Sequence, residues 1–116
     1  MAKSIYDYYL LDKNESPVKL TVFIGQNQQC TSRVTIDDVE VKTVHESFQL
    51  ELGSNQDLIG KELRIRSLLT DIQTDFDLVS QQVVLRGGEE KKSWALEQDS
   101  DDGETYVFTT VIGFYD

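Results

Sequence analysis

Tyr106-Val107-Phe108-Thr109-Thr110-Val111-Ile112-Gly113-Phe114-Tyr115 carries the strongest structural signal in this chain. Apolar side chains recur with period two, the spacing of a strand and not of a helix. Tyr106, Phe108, Thr110, Ile112 and Phe114 fall on one face, and Val107, Thr109, Val111 and Tyr115 on the other. With both faces largely apolar, the segment reads as a central strand covered on both sides, or as an edge strand completed by a partner.

The same period extends upstream. Residues 78–86 and 92–98 flank Gly87-Gly88 and read as a hairpin. Asp99-Ser100-Asp101-Asp102-Gly103 is the next turn, and Asp102-Gly103 is the strongest short hairpin signal of the sequence. In residues 61–72, Leu63, Ile65, Ser67 and Leu69 alternate with Glu62, Arg64 and Arg66, which favours a strand. A helical stripe through Leu58, Ile65, Leu69 and Ile72 is the competing pattern. Phe48, Leu50 and Leu52 point inward before the loop Gly53-Ser54-Asn55. Between Val34/Ile36 and Val39/Val41 the apolar set changes parity, which requires a hairpin or bulge at Asp37-Asp38. Val18, Leu20, Val22 and Ile24 share a face after Pro17, and Ile5 to Leu11 form an aromatic-rich first strand.

These runs predict an all-β chain: a single-domain antiparallel β-sandwich of eight or nine strands spanning residues 1–116. A small β-barrel, or an α+β fold with one helix near 57–72, are the alternatives. With 116 residues, 39% hydrophobic and 28% charged, the chain has material for one core.

Eleven basic residues stand against twenty-one acidic ones, for a net charge of -10 spread along both halves. Nucleic-acid binders cluster Lys and Arg. The largest basic groups here are Lys61, Arg64 and Arg66, then Lys91 and Lys92, and no base follows Lys92. The expectation is therefore no nucleic-acid and no membrane partner. No run approaches the roughly 18 apolar residues of a spanning helix. The first residues meet Asp7 before any apolar stretch, so no secretory leader is expected. Cys30 is the single cysteine, which excludes an intrachain disulfide and fits a reducing, cytoplasmic setting.

Chemistry-bearing residues are sparse. His45 lies at a turn without a recognisable nucleophile or carboxylate partner, and Cys30 reads as a small buried side chain. No cofactor is expected. Glu97, Asp99, Asp101, Asp102 and Glu104, with Asp71, Asp75 and Asp77, offer carboxylates for a calcium site at Asp99, Asp101 and Asp102. They equally describe a solvated loop, and the spacing departs from the EF-hand template. Tyrosine and tryptophan bury area while keeping a polar handle, so Tyr6, Tyr8, Trp94 and Tyr115 are the candidate binding residues. Tyr6 and Tyr8 point outward with Leu10 if Ile5, Tyr9 and Leu11 point inward.

The function these features favour is that of a non-enzymatic structural or adaptor protein. It would bind another protein or itself, with edge-strand pairing by a terminal strand as one mode. Two alternatives belong to other classes: an acidic inhibitor or immunity protein covering a basic partner surface, and a carbohydrate-binding module, calcium-stabilised if the acidic loop holds an ion.

Overall fold

The computed structural model describes residues 2–25, 28–72, 78–101 and 103–116. Nine strands are formed: β1 (Ala2–Leu10), β2 (Pro17–Ile24), β3 (Gln28–Ile36), β4 (Val39–Val44), β5 (Phe48–Ser54), β6 (Glu62–Asp71), β7 (Leu78–Arg86), β8 (Lys92–Asp99) and β9 (Thr105–Tyr115). They build a five-stranded sheet, β1-β9-β6-β3-β4, and a four-stranded sheet, β5-β2-β7-β8. The β-sandwich expected from the alternation is the fold. The one helical element among the described residues, α1 (Asn55–Leu58), is a single turn whose N-cap Ser54 accepts from the Asp57 N–H. Residues 62–71 are strand, with the strict burial alternation that Arg64 and Arg66 around Ile65 implied.

Three expectations change. First, β1 and β9 pair in parallel, so the sandwich is not wholly antiparallel. These strands come from the two ends of the described chain, and no short connection forces them antiparallel. Second, Asp102-Gly103 does not close a hairpin, because β8 and β9 belong to different sheets. The turn is a crossover between layers; Gly103 has φ +79°, and Asp102 lies outside the described residues. Third, Val39 and Val41 are 68% and 42% exposed: they lie on the edge strand β4 and line an open cleft with Leu52 and Leu58 instead of the closed core.

At Asp37-Asp38 both earlier options hold together. The two residues have φ +50° and +66°, the two-residue hairpin turn with positive φ at both central positions, and one extra residue then shifts the β3–β4 register. The terminal strand β9 is interior to its sheet, between β1 and β6; one face packs on the core, and the other, with Val107, Thr109 and Val111, lies on the outer side of the sheet among cross-strand side chains and not under a second layer. The first strand β1 is at the edge.

Between the sheets, the apolar residues form two clusters. The larger contains Tyr9, Leu20, Val22, Ile65, Leu85 and Ile112; the smaller contains Leu69, Val79, Leu96, Tyr106 and Phe108. Buried polar side chains lie among them: Cys30 Sγ meets Ser32 Oγ at 3.3 Å, Ser32 Oγ meets Ser67 Oγ at 2.8 Å, and Gln81 Nε2 donates to Ser67 Oγ. Each fully buried Leu, Val or Ile contributes roughly 1.5–3 kcal/mol. The three surface ion pairs of the described residues are worth about 0–1 kcal/mol each, so burial holds the fold.

Asn55 pins the loops at one end. Its side chain is fully buried; Nδ2 shares its hydrogens among Asn14 Oδ1, Ser16 O and Gly87 O, while Oδ1 accepts from the Asp12 N–H. At the neighbouring Gly88, a Cβ would lie 2.6 Å from both Leu10 O and the Tyr9 ring, so the loop approaches the first strand closely only with glycine there.

Candidate functional site

Strand register sets the outer face of the five-stranded sheet, because directly paired residues point the same way. One row crosses the sheet as Tyr6, Val111, Arg64, Thr35 and Glu40. The next is Ser4, Thr109, Arg66, Arg33 and Thr43. On the other side of the first row lie Tyr8, Gly113 and Glu62, and then Leu10 beside Tyr115. Small residues of β9 therefore form a floor, with tyrosines along one side and arginines along the other.

The tyrosine side is open to solvent: Tyr6 is 74% exposed, Tyr8 67% and Tyr115 46%. Tyr8 lies across Gly113, where an added Cβ would come within 3.0 Å of its ring, and it meets Tyr115 edge-on at 6.1 Å between centroids. Glycine in a strand interior leaves space that a cross-strand aromatic fills. Beside this pair a cleft of about 390 Å3 opens against Glu89, Glu90 and Lys92.

On the arginine side, Arg33 and Arg66 are direct cross-strand neighbours and Arg64 follows two positions along β6. Arg33 Nε contacts Glu40 at 2.9 Å and Arg64 contacts Glu62 at 3.6 Å. Arg66 has no ion pair among the described residues. A cleft of about 290 Å3 lies among Arg33, Thr35, Asp38, Arg64 and Arg66. Three of the chain's four arginines and three of its five tyrosines thus share one sheet face.

Trp94, the remaining residue of the expected binding set, is not part of this face. It lies on the inner side of β8, 8% exposed, and its Nε1 donates to Asp7 Oδ2 at 2.7 Å with Lys92 Nζ 5.5 Å from the ring. The buried ring presents no surface for stacking. Asp7 in turn is held at a pKa of about 2 by the Trp94 hydrogen bond, then by the Tyr8 N–H and Lys92. Tyr9, one residue beyond Tyr8, is buried; Oη donates to Glu90 O and accepts from the Gly88 N–H, and burial raises its pKa.

Of the proposed metal ligands, Asp99 and Asp101 are exposed, and Asp102 is outside the described residues together with Asp75 and Asp77. Among the described residues no three His, Cys, Asp or Glu side chains converge. The carboxylate that the fold does bury there is Asp71, which accepts from Ser100 Oγ at 2.6 Å. His45 and Cys30 come to line one shallow cleft with Thr31, Thr70 and Thr105. His45 Nδ1 lies 3.1 Å from Thr31 Oγ1, and burial pushes the Cys30 thiol up, away from the thiolate a nucleophile needs.

The sequence reading found the tyrosines and missed the arginines as a group. Arg33 is thirty-one residues from Arg64, and only the β3–β6 register joins them. Period two along 62–66 did contain the signal that Arg64 and Arg66 share a face.

Searches against protein families, curated proteins and solved structures find no match to this chain. Fold and face together define a class, a nine-strand β-sandwich with an aromatic and arginine-bearing outer surface. No described helix is long and apolar enough to cross a membrane.

Proposed function

We propose that this protein is a non-enzymatic adaptor or structural component that docks another protein on the outer face of its five-stranded sheet. The observation that carries the reading is the concentration of exposed Tyr6, Tyr8 and Tyr115 beside Arg33, Arg64 and Arg66. Tyrosine and arginine are the residue types most enriched, with tryptophan, among those that dominate binding energy at protein interfaces. Lysine is absent from these rows, and it is depleted at interfaces. The reading also places the protein in a reducing compartment such as the cytoplasm, where the buried, unpaired Cys30 stays a thiol.

Docking on the face is favoured over strand addition at β1. There the Tyr8 N–H is taken by Asp7 Oδ1, the Tyr8 carbonyl by Lys92 Nζ, and the Leu10 carbonyl by the Glu89 N–H. A strand whose outward groups are bonded at Tyr8 and Leu10 is a poorer template for another chain over that half.

The test is affinity capture from an extract of the source cells, comparing the wild type with a Tyr6→Ala/Tyr8→Ala double variant. Both residues are exposed, so the variant keeps its fold, verified by its melting curve. A protein held by the wild type and released by the variant supports the reading. Identical retention by both overturns it.

A further inference from the structure

Like charges placed directly opposite on neighbouring strands destabilise a sheet, and Arg33 and Arg66 are so placed. Two carboxylates, Glu40 and Glu62, lie within ion-pair distance of Arg33 and Arg64, and Asp38 closes the rim of the cleft without pairing to any of the three. The chain has nearly twice as many acids as bases, yet Arg66 stands at the centre of the group without one among the described residues. An unneutralised guanidinium flanked by two others is arranged to receive an anion from outside. The planar fork of arginine matches a carboxylate with two parallel hydrogen bonds.

We propose that Arg66, with Arg33 and Arg64 beside it, binds a carboxylate on an acidic segment of the partner polypeptide, whose apolar side chain packs on Tyr6. This rests on the docking face of the preceding subsection and adds the chemistry of what docks. Arg66 lies two strands across and two residues along from Tyr6, about 12 Å away at the usual strand spacings. An extended segment crossing the strands obliquely covers that distance in about three to four residues. The partner segment therefore carries an Asp or Glu about three to four positions from a large apolar residue. A long polyanion does not fit the same site: the net charge of -10 opposes it. A short segment brings few charges, and repulsion from acids beyond about 8–10 Å is screened at physiological salt. The existing Arg33–Glu40 and Arg64–Glu62 pairs are exposed and weak, so they yield to a ligand at small cost.

The probe is an acetylated Glu-Ser-Ser-Phe-Ser-Ser-Glu peptide titrated into 15N-labelled protein, with Gln in place of Glu as the control at matched ionic strength. The arginine Nε–H resonances report the site. The expected result is a shift of the Arg66 resonance and binding about tenfold weaker for the Gln peptide. Arg66→Gln should erase that preference, whereas Arg86→Gln, on the other sheet, should leave it intact. Equal binding of the Glu and Gln peptides, or an unchanged preference in Arg66→Gln, overturns the proposal. So does tighter binding of a phosphoserine peptide or of a single-stranded oligonucleotide, which would make the anion a phosphate. The two readings fail separately. Loss of capture in the tyrosine variant with an Arg66→Gln variant that still captures leaves the face and removes the carboxylate. An Arg66-dependent peptide with capture indifferent to the tyrosines does the reverse.

Discussion

Asp7 shows how much one side chain can organise at an edge. It sits on the inward parity of β1, between Ile5 and Tyr9, where an acid is out of place, and it answers three donors: Trp94 Nε1, the Tyr8 N–H and Lys92 Nζ. Those partners hold its pKa near 2, below the ordinary aspartate value of 3.8. A carboxylate with a lowered folded-state pKa adds stability that is complete above the unfolded pKa and is lost as pH falls through the folded one. The window is therefore from about pH 4 down to about pH 2. Its side chain is 37% exposed, so solvent screening limits the electrostatic part to about 1 kcal/mol. Asp7→Ala should destabilise by about 1–2 kcal/mol at neutral pH, since it also strands the indole N–H. Urea midpoints of the two proteins should converge as the pH drops through that window. A gap that stays constant there would show that the ionised carboxylate is not what Trp94 and Lys92 hold. None of this was legible from sequence, where Asp7 was only an acid preceding an apolar run. Asn55 was hidden in the same way: it read as a loop residue, and its burial exists only once three distant loops meet.

Elements were legible where period two ran unbroken, as in β6 and β9, because every second residue there faces the opposite sheet. Pairing was not, since alternation fixes a strand's faces and says nothing about its neighbours; hence the parallel β1–β9 pair and the missing β8–β9 hairpin. The β3–β4 turn offers a direct test of local geometry. Asp38 at φ +66° is exposed, whereas Asp37 also accepts from the Glu62 N–H at 2.9 Å. Asp38→Gly should stabilise by about 0.5 kcal/mol, because glycine adopts that conformation without strain. Asp37→Gly should not, having lost its contact to β6. If both variants shift the melting temperature equally, turn strain and not the Glu62 contact governs the hairpin. The interior polar residues give a second pair of opposite signs. Thr110 Oγ1 is buried without a hydrogen-bond partner among the described residues, while Ser67 Oγ serves both Ser32 and Gln81. Thr110→Val removes an unpaired hydroxyl at constant shape and should raise stability by about 1 kcal/mol. Ser67→Ala should lower it by about 1–3 kcal/mol by leaving buried groups unsatisfied. Destabilisation by Thr110→Val would mean that its hydroxyl is bonded in solution, through an ordered water.

For the molecule as a whole, every sheet edge carries some obstacle to pairing with another chain. β1 has the outward Tyr8 N–H, Tyr8 carbonyl and Leu10 carbonyl bonded by Asp7, Lys92 and Glu89, and on β8 the Glu97 carbonyl is taken by Lys3 Nζ. β5 has a register shift against β2, and β4 has one against β3. In β4 the extra residue is Val41, since Thr35 faces Glu40 and Val34 faces Lys42. A bulge bends the strand and breaks the regular alternation of N–H and C=O groups along its free side. Without it, β4 would be a flat edge beside a cleft lined by Ile36, Leu52 and Leu58 together with Asp37, Asp57 and Lys61. Deleting Val41 should therefore convert a guarded edge into one open to pairing. Light scattering behind size exclusion at micromolar concentrations should show a single-chain mass for the wild type and twice that mass, or aggregation, for the deletion. An unchanged mass in the deletion would mean that the bulge guards nothing. A doubled mass already in the wild type would mean that β4 pairs in spite of it, and binding would then belong to the edge and not to the face.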